Sequence, residues 1–392
     1  MVTLFIAILA AGLLVSFAVS LMTTELLRRF APRLGLVDAP DHRKIHTQPI
    51  PRLGGIGILT GFAAGIIFFG SAAHLVPELR EFISPPSRFF LVGVLMIGLL
   101  GLVDDVKGID FREKLVFQCL VAVFSILAGF RYEVNLGAVS ELTVYGDLVS
   151  IPLTFLWIIG VMNAVNLIDG LDGLAGGLAL IAIFAVTMAE VVAGIPIQFA
   201  LVLAMVGAIL GFLRLNYHPA SIFMGDTGSL LLGFFISVYS LETTSASGSI
   251  ALFFLPVLAV SMPVFDTLSS MVRRRMRGRP VFYPDREHIH HRLRYLKGYS
   301  HRQTVLLLYA ISVVFAVFGV LLVAAEPYGY GVSGLVLAAA FAFLLGLMYK
   351  LDYLDWRSYL QARRRRRAPE FAVRLGSITR DSIRWEPEKA RR

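Results

Sequence analysis

Apolar residues in this chain gather into long, nearly unbroken runs, near residues 3 to 27, 53 to 72, 88 to 104, 115 to 130, 151 to 168, 174 to 193, 197 to 213, 228 to 242, 249 to 270, 304 to 324 and 332 to 349. A helix rising about 1.5 Å per residue needs about 20 apolar residues to cross roughly 30 Å of hydrocarbon. The pattern predicts an all-α polytopic membrane protein with about eleven transmembrane helices. The first run passes directly into Glu25 and Arg28-Arg29, with no short hydrophobic region and small-residue cleavage site, so it reads as a retained span and not a signal peptide. Between the fourth and fifth runs, alternation from Val139 to Val149 predicts a small β-hairpin.

Composition agrees with that class. Of 392 residues, 57% are hydrophobic and only 16% charged, against about 25% charged in a soluble domain. The net charge of +9 is a topology signal before it is a nucleic-acid signal, and no nucleic-acid partner is expected. All but three of the 36 Lys and Arg fall in one alternate set of loops and the carboxyl-terminal tail; the other set holds only Arg80, Arg88 and Arg131. Basic residues mark the cytoplasmic side, which puts the amino terminus outside and the carboxyl terminus in the cytoplasm. Residues 1–350 then form the integral-membrane domain. From 351 to 392 the hydrophobic pattern stops and Arg363 to Arg367 are consecutive arginines, a partly disordered basic tail suited to anionic lipid head groups. The single Cys119 makes no intramolecular disulfide and no thiolate metal site.

Against this background a few polar clusters stand at the ends of apolar runs, all on the expected cytoplasmic face: Asp104-Asp105, Asn163-x-x-Asn166-x-x-Asp169-Gly-x-Asp172-Gly, Asn216 through Phe223-x-Gly-Asp226, and His288-Ile-His290-His291-Arg292. Ionisable groups at a membrane edge are costly and default to function. Mg²⁺ takes oxygen ligands, typically one or two carboxylates with phosphates and water, and Asp104, Asp105, Asp226 and the amide of Asn166 suit it; Mn²⁺ is the alternative ion. Adjacent helical residues diverge by roughly 100°, so Asp104 and Asp105 are not expected to ligate one ion alike; one binds metal and the other orients a Lys, a water or the acceptor. Asn163, Asn166 and Asp169 fan across about 120° of helix surface, and their amides can meet a base edge, a ribose hydroxyl or a metal. The Gly225-Asp226-Thr227 step opens the next helix, where backbone N–H groups favour phosphate, and Phe223 offers a face for a base. The histidine cluster lacks carboxylate or thiolate spacing for zinc and fits a phosphate- or sugar-binding loop better.

In order and topology, over roughly residues 1 to 350, these motifs resemble those of the polyprenyl-phosphate N-acetylhexosamine-1-phosphate transferases. The His288 to Arg292 loop, preceded by Pro284-Asp285-Arg286-Glu287, is similar to that of the bacterial branch that starts O-antigen, enterobacterial common antigen or teichoic acid linkage units. The peptidoglycan branch usually carries a run of histidines there, so the resemblance speaks against a peptidoglycan role.

The resemblance implies a glycosyltransferase of the bacterial inner membrane that moves a sugar 1-phosphate, first of all N-acetylglucosamine 1-phosphate, from a UDP-N-acetylhexosamine to undecaprenyl phosphate and releases UMP. It further implies that Asn163, Asp169, Asp172, Asn216 and Phe223 hold uridine, and that His288, His290, His291 and Arg292 hold the pyrophosphate and hexosamine. Lys44, Lys107 and Arg292 are candidates to stabilise developing charge. The catalytic set is then Asp104, Asp105, Asp169, Asp172, Asp226 and His290, and a homodimer is one possible assembly. The rival class is a transporter of an anionic solute or lipid-linked intermediate. That class is expected to carry internal repeats and polar groups at mid-membrane, whereas the acids of this chain gather at the inner edge.

Overall fold

A computed structural model of the protein describes residues 1–38, 49–83, 86–132, 143–245, 250–276, 278 and 288–351. The described residues are almost wholly helical, in chain order α1 (Val2–Phe30), α2 (Gly54–Leu75), α3 (Arg80–Ile83), α4 (Arg88–Lys107), α5 (Phe111–Leu127), α6 (Thr143–Ile168) and α7 (Leu174–Ala193). There follow α8 (Phe199–Asn216), α9 (Gly225–Ser245), α10 (Ile250–Ala259), α11 (Ser261–Met276), α12 (Ile289–Lys297), α13 (His301–Ala325) and α14 (Tyr330–Lys350). Two short strands, β1 (Val37–Asp38) and β2 (Ile50–Pro51), pair antiparallel with Val37 opposite Pro51.

Each apolar run coincides with a helix, or with the bent pair α10 and α11 for the run near 249 to 270. Among the described residues, eight helices are long and apolar enough to cross a membrane, or nine if that bent pair is one span. The other two runs are α5, only 17 residues long, and α9, which is buried inside the protein at every position from Thr227 to Leu241. The bend of 74° between α10 and α11 has a local cause: Pro263 has no N–H to offer the Ala259 carbonyl four residues back, so the helix ends there. The expected β-hairpin is corrected. Residues 143–149 form the first turns of α6, because the apolar run that follows is already helical and extending a helix costs far less than starting one; residues 139–142 of that reading lie outside the described residues.

The chain divides into two compact units, residues 1–267 with 287–341, and residues 268–286 with 342–392. In the second, the described residues are the last turns of α11 and α14, where Arg273 donates to Ser270 Oγ at 2.7 Å. The basic tail beyond residue 351 lies outside the described residues. In the first, α9 is the central helix, and Phe62, Phe90, Phe234 and Phe235 interlock around it in tilted and edge-to-face pairs 5.8–6.0 Å apart. Its amino-terminal turn is approached closely by α2 and α4: a Cβ on Gly55 would lie 2.1 Å from the Gly228 nitrogen, and one on Gly101 would lie 2.4 Å from Thr227 Cα. Small residues let backbones meet at this distance. The ends of α4 and α9 that carry Asp104, Asp105 and Asp226 are thereby brought to one place.

Candidate active site

The site is built on the amino terminus of α9. Asp105, in the last turn of α4, accepts from the Asp226 N–H at 2.7 Å through Oδ1, and from the Thr227 N–H at 2.9 Å and hydroxyl at 2.6 Å through Oδ2. A carboxylate borrowed from another helix thus caps α9, satisfying its orphan donors and complementing its dipole. The segment before α9 is clamped as well, since Phe223 N donates to the Pro51 carbonyl at 2.7 Å and the Gly54 and Gly55 N–H groups return bonds to the carbonyls of Phe223 and Met224. Asp226 therefore sits on a rigid support.

Around Asp226 the side chains converge. Lys114, in the first turn of α5, pairs with Asp104 and lies 2.7 Å from Asp226 Oδ1. Asn166 Nδ2 donates to the same oxygen at 2.5 Å and to Ser229 Oγ at 2.8 Å. Asp104 also accepts from the Ile109 N–H at 2.8 Å. Both oxygens of Asp104 and both of Asp105 are committed within the protein; among the described residues Asp226 Oδ2 has no partner. Asp169, just beyond α6, makes no hydrogen bond or ion pair with any described residue. Its carboxyl is pushed up to about 7 by burial first, then by the carboxylates of Asp226, Asp105 and Asp172. Among the described residues the Lys114 ammonium pairs with two of these carboxylates, Asp104 and Asp226.

The turn from Asp169 to Gly173 forms a second wall. His290, buried on α12, packs on it: a Cβ on Gly170 would lie 2.3 Å from His290 Nε2. Burial, followed by the neighbouring His291, His288, Arg294 and His301, lowers the His290 imidazole well below the usual histidine range, so it is neutral. Asp266 of α11 seats this helix, Oδ1 accepting from the Ile289 N–H and Oδ2 lying 2.8 Å from His288 Nδ1. His288 and Arg292 are buried, and His291 is half-buried. On the opposite side Asp172 Oδ2 meets His218 Nδ1 at 2.6 Å and the Ala220 N–H at 3.1 Å. The ligand atoms of Asp172, His218 and His301 lie within 4.8 Å of one another, but the two rings stack at 4.0 Å with only 15° between planes. Imidazole lone pairs lie in the ring plane, so these run side by side and do not converge on an ion. This is a hydrogen-bonded clasp.

The remaining residues singled out in the sequence have other neighbours. Asn163 pairs with the buried Gln118 of α5 at 2.7 Å and with the Ile159 carbonyl, which joins α5 to α6 one turn beyond Lys114. Asn216 accepts from the Gly173 N–H and donates to the Ile222 carbonyl, so its amide is spent on holding two loops. Phe223 is half-exposed beside the start of α9, Lys107 is exposed in the last turn of α4, and Lys44 lies outside the described residues. Sequence reasoning missed Lys114, which it counted only as a topology charge, and the capping role of Asp266. The one local hint for Lys114 is Asp110, which caps α5 by accepting from the Arg112 N–H at 2.8 Å and so starts a helix just before it.

Comparison with known proteins adds an independent finding. A family model described as "Glycosyl transferase family 4" matches residues 87–244, from α4 to the penultimate residue of α9, which include every carboxylate of the cluster. The chain is 37% identical over 316 residues to a "Probable undecaprenyl-phosphate N-acetylglucosaminyl 1-phosphate transferase" of Bacillus subtilis, covering 79% of this chain and 85% of that protein. It is 32% identical over 350 residues to an "Undecaprenyl-phosphate alpha-N-acetylglucosaminyl 1-phosphate transferase" of Escherichia coli, covering 87% and 90%. A "Decaprenyl-phosphate N-acetylglucosaminephosphotransferase" of Mycobacterium tuberculosis is 32% identical over 328 residues, covering 77% and 78%.

Proposed function

The chain belongs to the transferases described as Glycosyl transferase family 4, and on that premise we propose that it moves N-acetylglucosamine 1-phosphate from UDP-N-acetylglucosamine to undecaprenyl phosphate and releases UMP. The observation that carries the proposal is the convergence of Asp104, Asn166, Asp226 and Lys114 beside Asp169, which has no partner among the described residues, at the turn on which His290 packs. An oxygen of the lipid phosphate attacks the phosphorus that bears the sugar, and the bond from that phosphorus to the oxygen retained by UMP breaks. Both reactants are anions, and the lipid phosphate needs no strong base near neutral pH. Positioning and charge stabilisation therefore govern the rate.

The donor set fits Mg²⁺. Among the described residues the uncommitted oxygens are hard carboxylate oxygens, Asp226 Oδ2 and the Asp169 pair, and burial together with three neighbouring carboxylates raises the Asp169 carboxyl, a concentration of negative charge that a divalent cation would relieve. Asp226 and Asp169 would hold the ion, which when bound would act as Lewis acid and template for the pyrophosphate. Asn166 and Lys114 fix Asp226 Oδ1, Asp104 anchors the ammonium, and Asp105 holds the helix on which Asp226 sits. Lys114, beside Asp226, would offer positive charge to the transferred phosphoryl group. His290, being neutral, serves as a hydrogen-bonding group for sugar or phosphate, with His288, His291 and Arg292 on the same helix end. The half-exposed Phe223 ring would offer a stacking face to uracil, and Asp172 would join it in holding uridine.

The distribution of Lys and Arg supports a cytoplasmic active face and an external amino terminus in a bacterial inner membrane. The product would start a lipid-linked envelope glycan such as O-antigen or a teichoic acid linkage unit. The test is UMP release by detergent-purified protein given undecaprenyl phosphate, Mg²⁺ and a panel of UDP-N-acetylhexosamines. Release that needs acceptor and metal, is abolished by EDTA and is fastest with UDP-N-acetylglucosamine is expected. Folded protein that releases no UMP with any donor would sink the proposal.

A further inference from the structure

Two side chains of α13, outside the carboxylate cluster, grip the turn between α6 and α7. Tyr309 Oη donates to the Gly173 carbonyl at 2.6 Å, and His301 Nε2 lies 3.3 Å from the Asp172 carbonyl and 4.0 Å from Asp172 Oδ2. The His301 ring also stacks on His218, whose Nδ1 holds Asp172. The Gly173 carbonyl already accepts from the Gly177 N–H at 3.0 Å within α7. Tyr309 thus occupies a second lone pair and is not needed to satisfy an orphan acceptor. Its seat is created by a missing side chain, because a Cβ on Gly177 would lie 2.0 Å from Tyr309 Oη. The amino terminus of α13 is in turn fixed by a capping box, with Ser300 Oγ accepting from the Gln303 N–H and Gln303 Oε1 from the Ser300 N–H.

We propose that Tyr309 and His301 are positioning residues, which from α13 set the orientation of the Asp169–Gly173 turn and through it the affinity for the UDP-sugar donor. The inference rests on the donor reading above. Asp169 stands only three and four residues before the two gripped carbonyls, and among the described residues no side-chain bond of its own holds it. A rotation of the turn therefore moves its carboxylate relative to Asp226. Misplacement of a binding group by about 1 Å can cost about 100-fold in rate, so a grip without direct ligand contact has a large lever.

The experiment uses full-length protein in detergent and measures KM for UDP-N-acetylglucosamine and for undecaprenyl phosphate separately, with thermal melting of each variant. Tyr309→Phe removes one oxygen atom and should raise donor KM about fivefold with acceptor KM unchanged. His301→Ala should act in the same direction, and His301→Gln, whose amide nitrogen reaches about as far as Nε2, should recover wild-type donor KM. Gly177→Ala pushes on the same contact, so the Gly177→Ala, Tyr309→Phe pair should be no worse than the worse single variant. A purely structural role would lower melting temperature and active fraction while leaving both KM values alone. That outcome, or an equal rise in both KM values, overturns the proposal. Should His301→Ala not fold, Tyr309→Phe decides alone. Wild-type protein that neither turns over nor binds any UDP-sugar would overturn the donor reading together with this one, and is recognised before any variant is made.

Discussion

Lys114→Met strikes the charge balance of the site directly. The ammonium bridges Asp104 and Asp226, and its side chain is only 17% exposed. Two unit charges about 4 Å apart attract by about 4 kcal/mol at an effective dielectric near 20. Lys114 makes two such contacts and gives part of the gain back in its own desolvation; removing one partner of a buried pair costs about 3–5 kcal/mol. Methionine keeps an unbranched stem that adapts to the same groove, so the loss is mainly electrostatic. If about 3 kcal/mol of it is felt in the transition state, kcat falls about 100-fold. The response to metal has the opposite sign. With the ammonium gone, Asp226 loses a competing cation and the site gains one negative charge, so the Mg²⁺ concentration for half-maximal activity falls. Both quantities come from one assay, UMP release against Mg²⁺ on variants matched for folding, with Lys114→Arg as the charge-retaining control. A Lys114→Met protein whose kcat stays within about threefold of wild type would refute the assignment of Lys114 to the reacting centre. A rise in the Mg²⁺ requirement would refute its competition for Asp226.

Three further outcomes are expected. Asp105→Asn turns an amide N–H toward the α9 donors that Asp105 caps, and should cost about 1–2 kcal/mol of stability together with turnover; an unchanged melting curve would contradict the capping role. Asp266→Asn weakens the seat of α12 at Ile289 and His288 and should raise donor KM about tenfold, with no change expected in acceptor KM; the two saturation curves decide it. In metal-free protein, Asp169 keeps its proton up to about 7 where the unfolded chain has lost it near 4. The folded state then binds more protons across that window, so melting temperature should fall as pH rises from about 4 to 7. Asp169→Asn should remove that part of the slope, and parallel melting profiles for the two proteins would count against a raised Asp169.

How much of this was legible beforehand depends on how local the cause was. The apolar runs sufficed to locate helices, because in hydrocarbon every backbone group must be satisfied within its own segment and a helix does this alone. At Ser87, Asp110 and Ser300 a short side chain caps its own helix, a cause equally local though the apolar runs alone do not mark it. The alternating stretch near Val144 to Val149 misled because strand-like alternation is a weak signal beside a long helix ready to extend. The polar motifs identified the chemistry and the family, since carboxylates and amides at a membrane edge have few other reasons to be there.

The sequence by itself determined that the protein is helical, membrane-embedded and equipped with acids at one set of helix ends. Only the tertiary structure decided which of those acids are free to act. Asp104 and Asp105 are neighbours of the same type, yet one anchors Lys114 and the other caps a helix 121 residues away. Asn163 and Asn216, alike in kind to Asn166, spend their amides on Gln118 and on the Gly173 turn. A hydrogen bond is directional and short, so whether a polar group is spent or available depends on partners within about 3 Å. For these residues those partners lie far along the chain, and spacing in sequence carries no information about them.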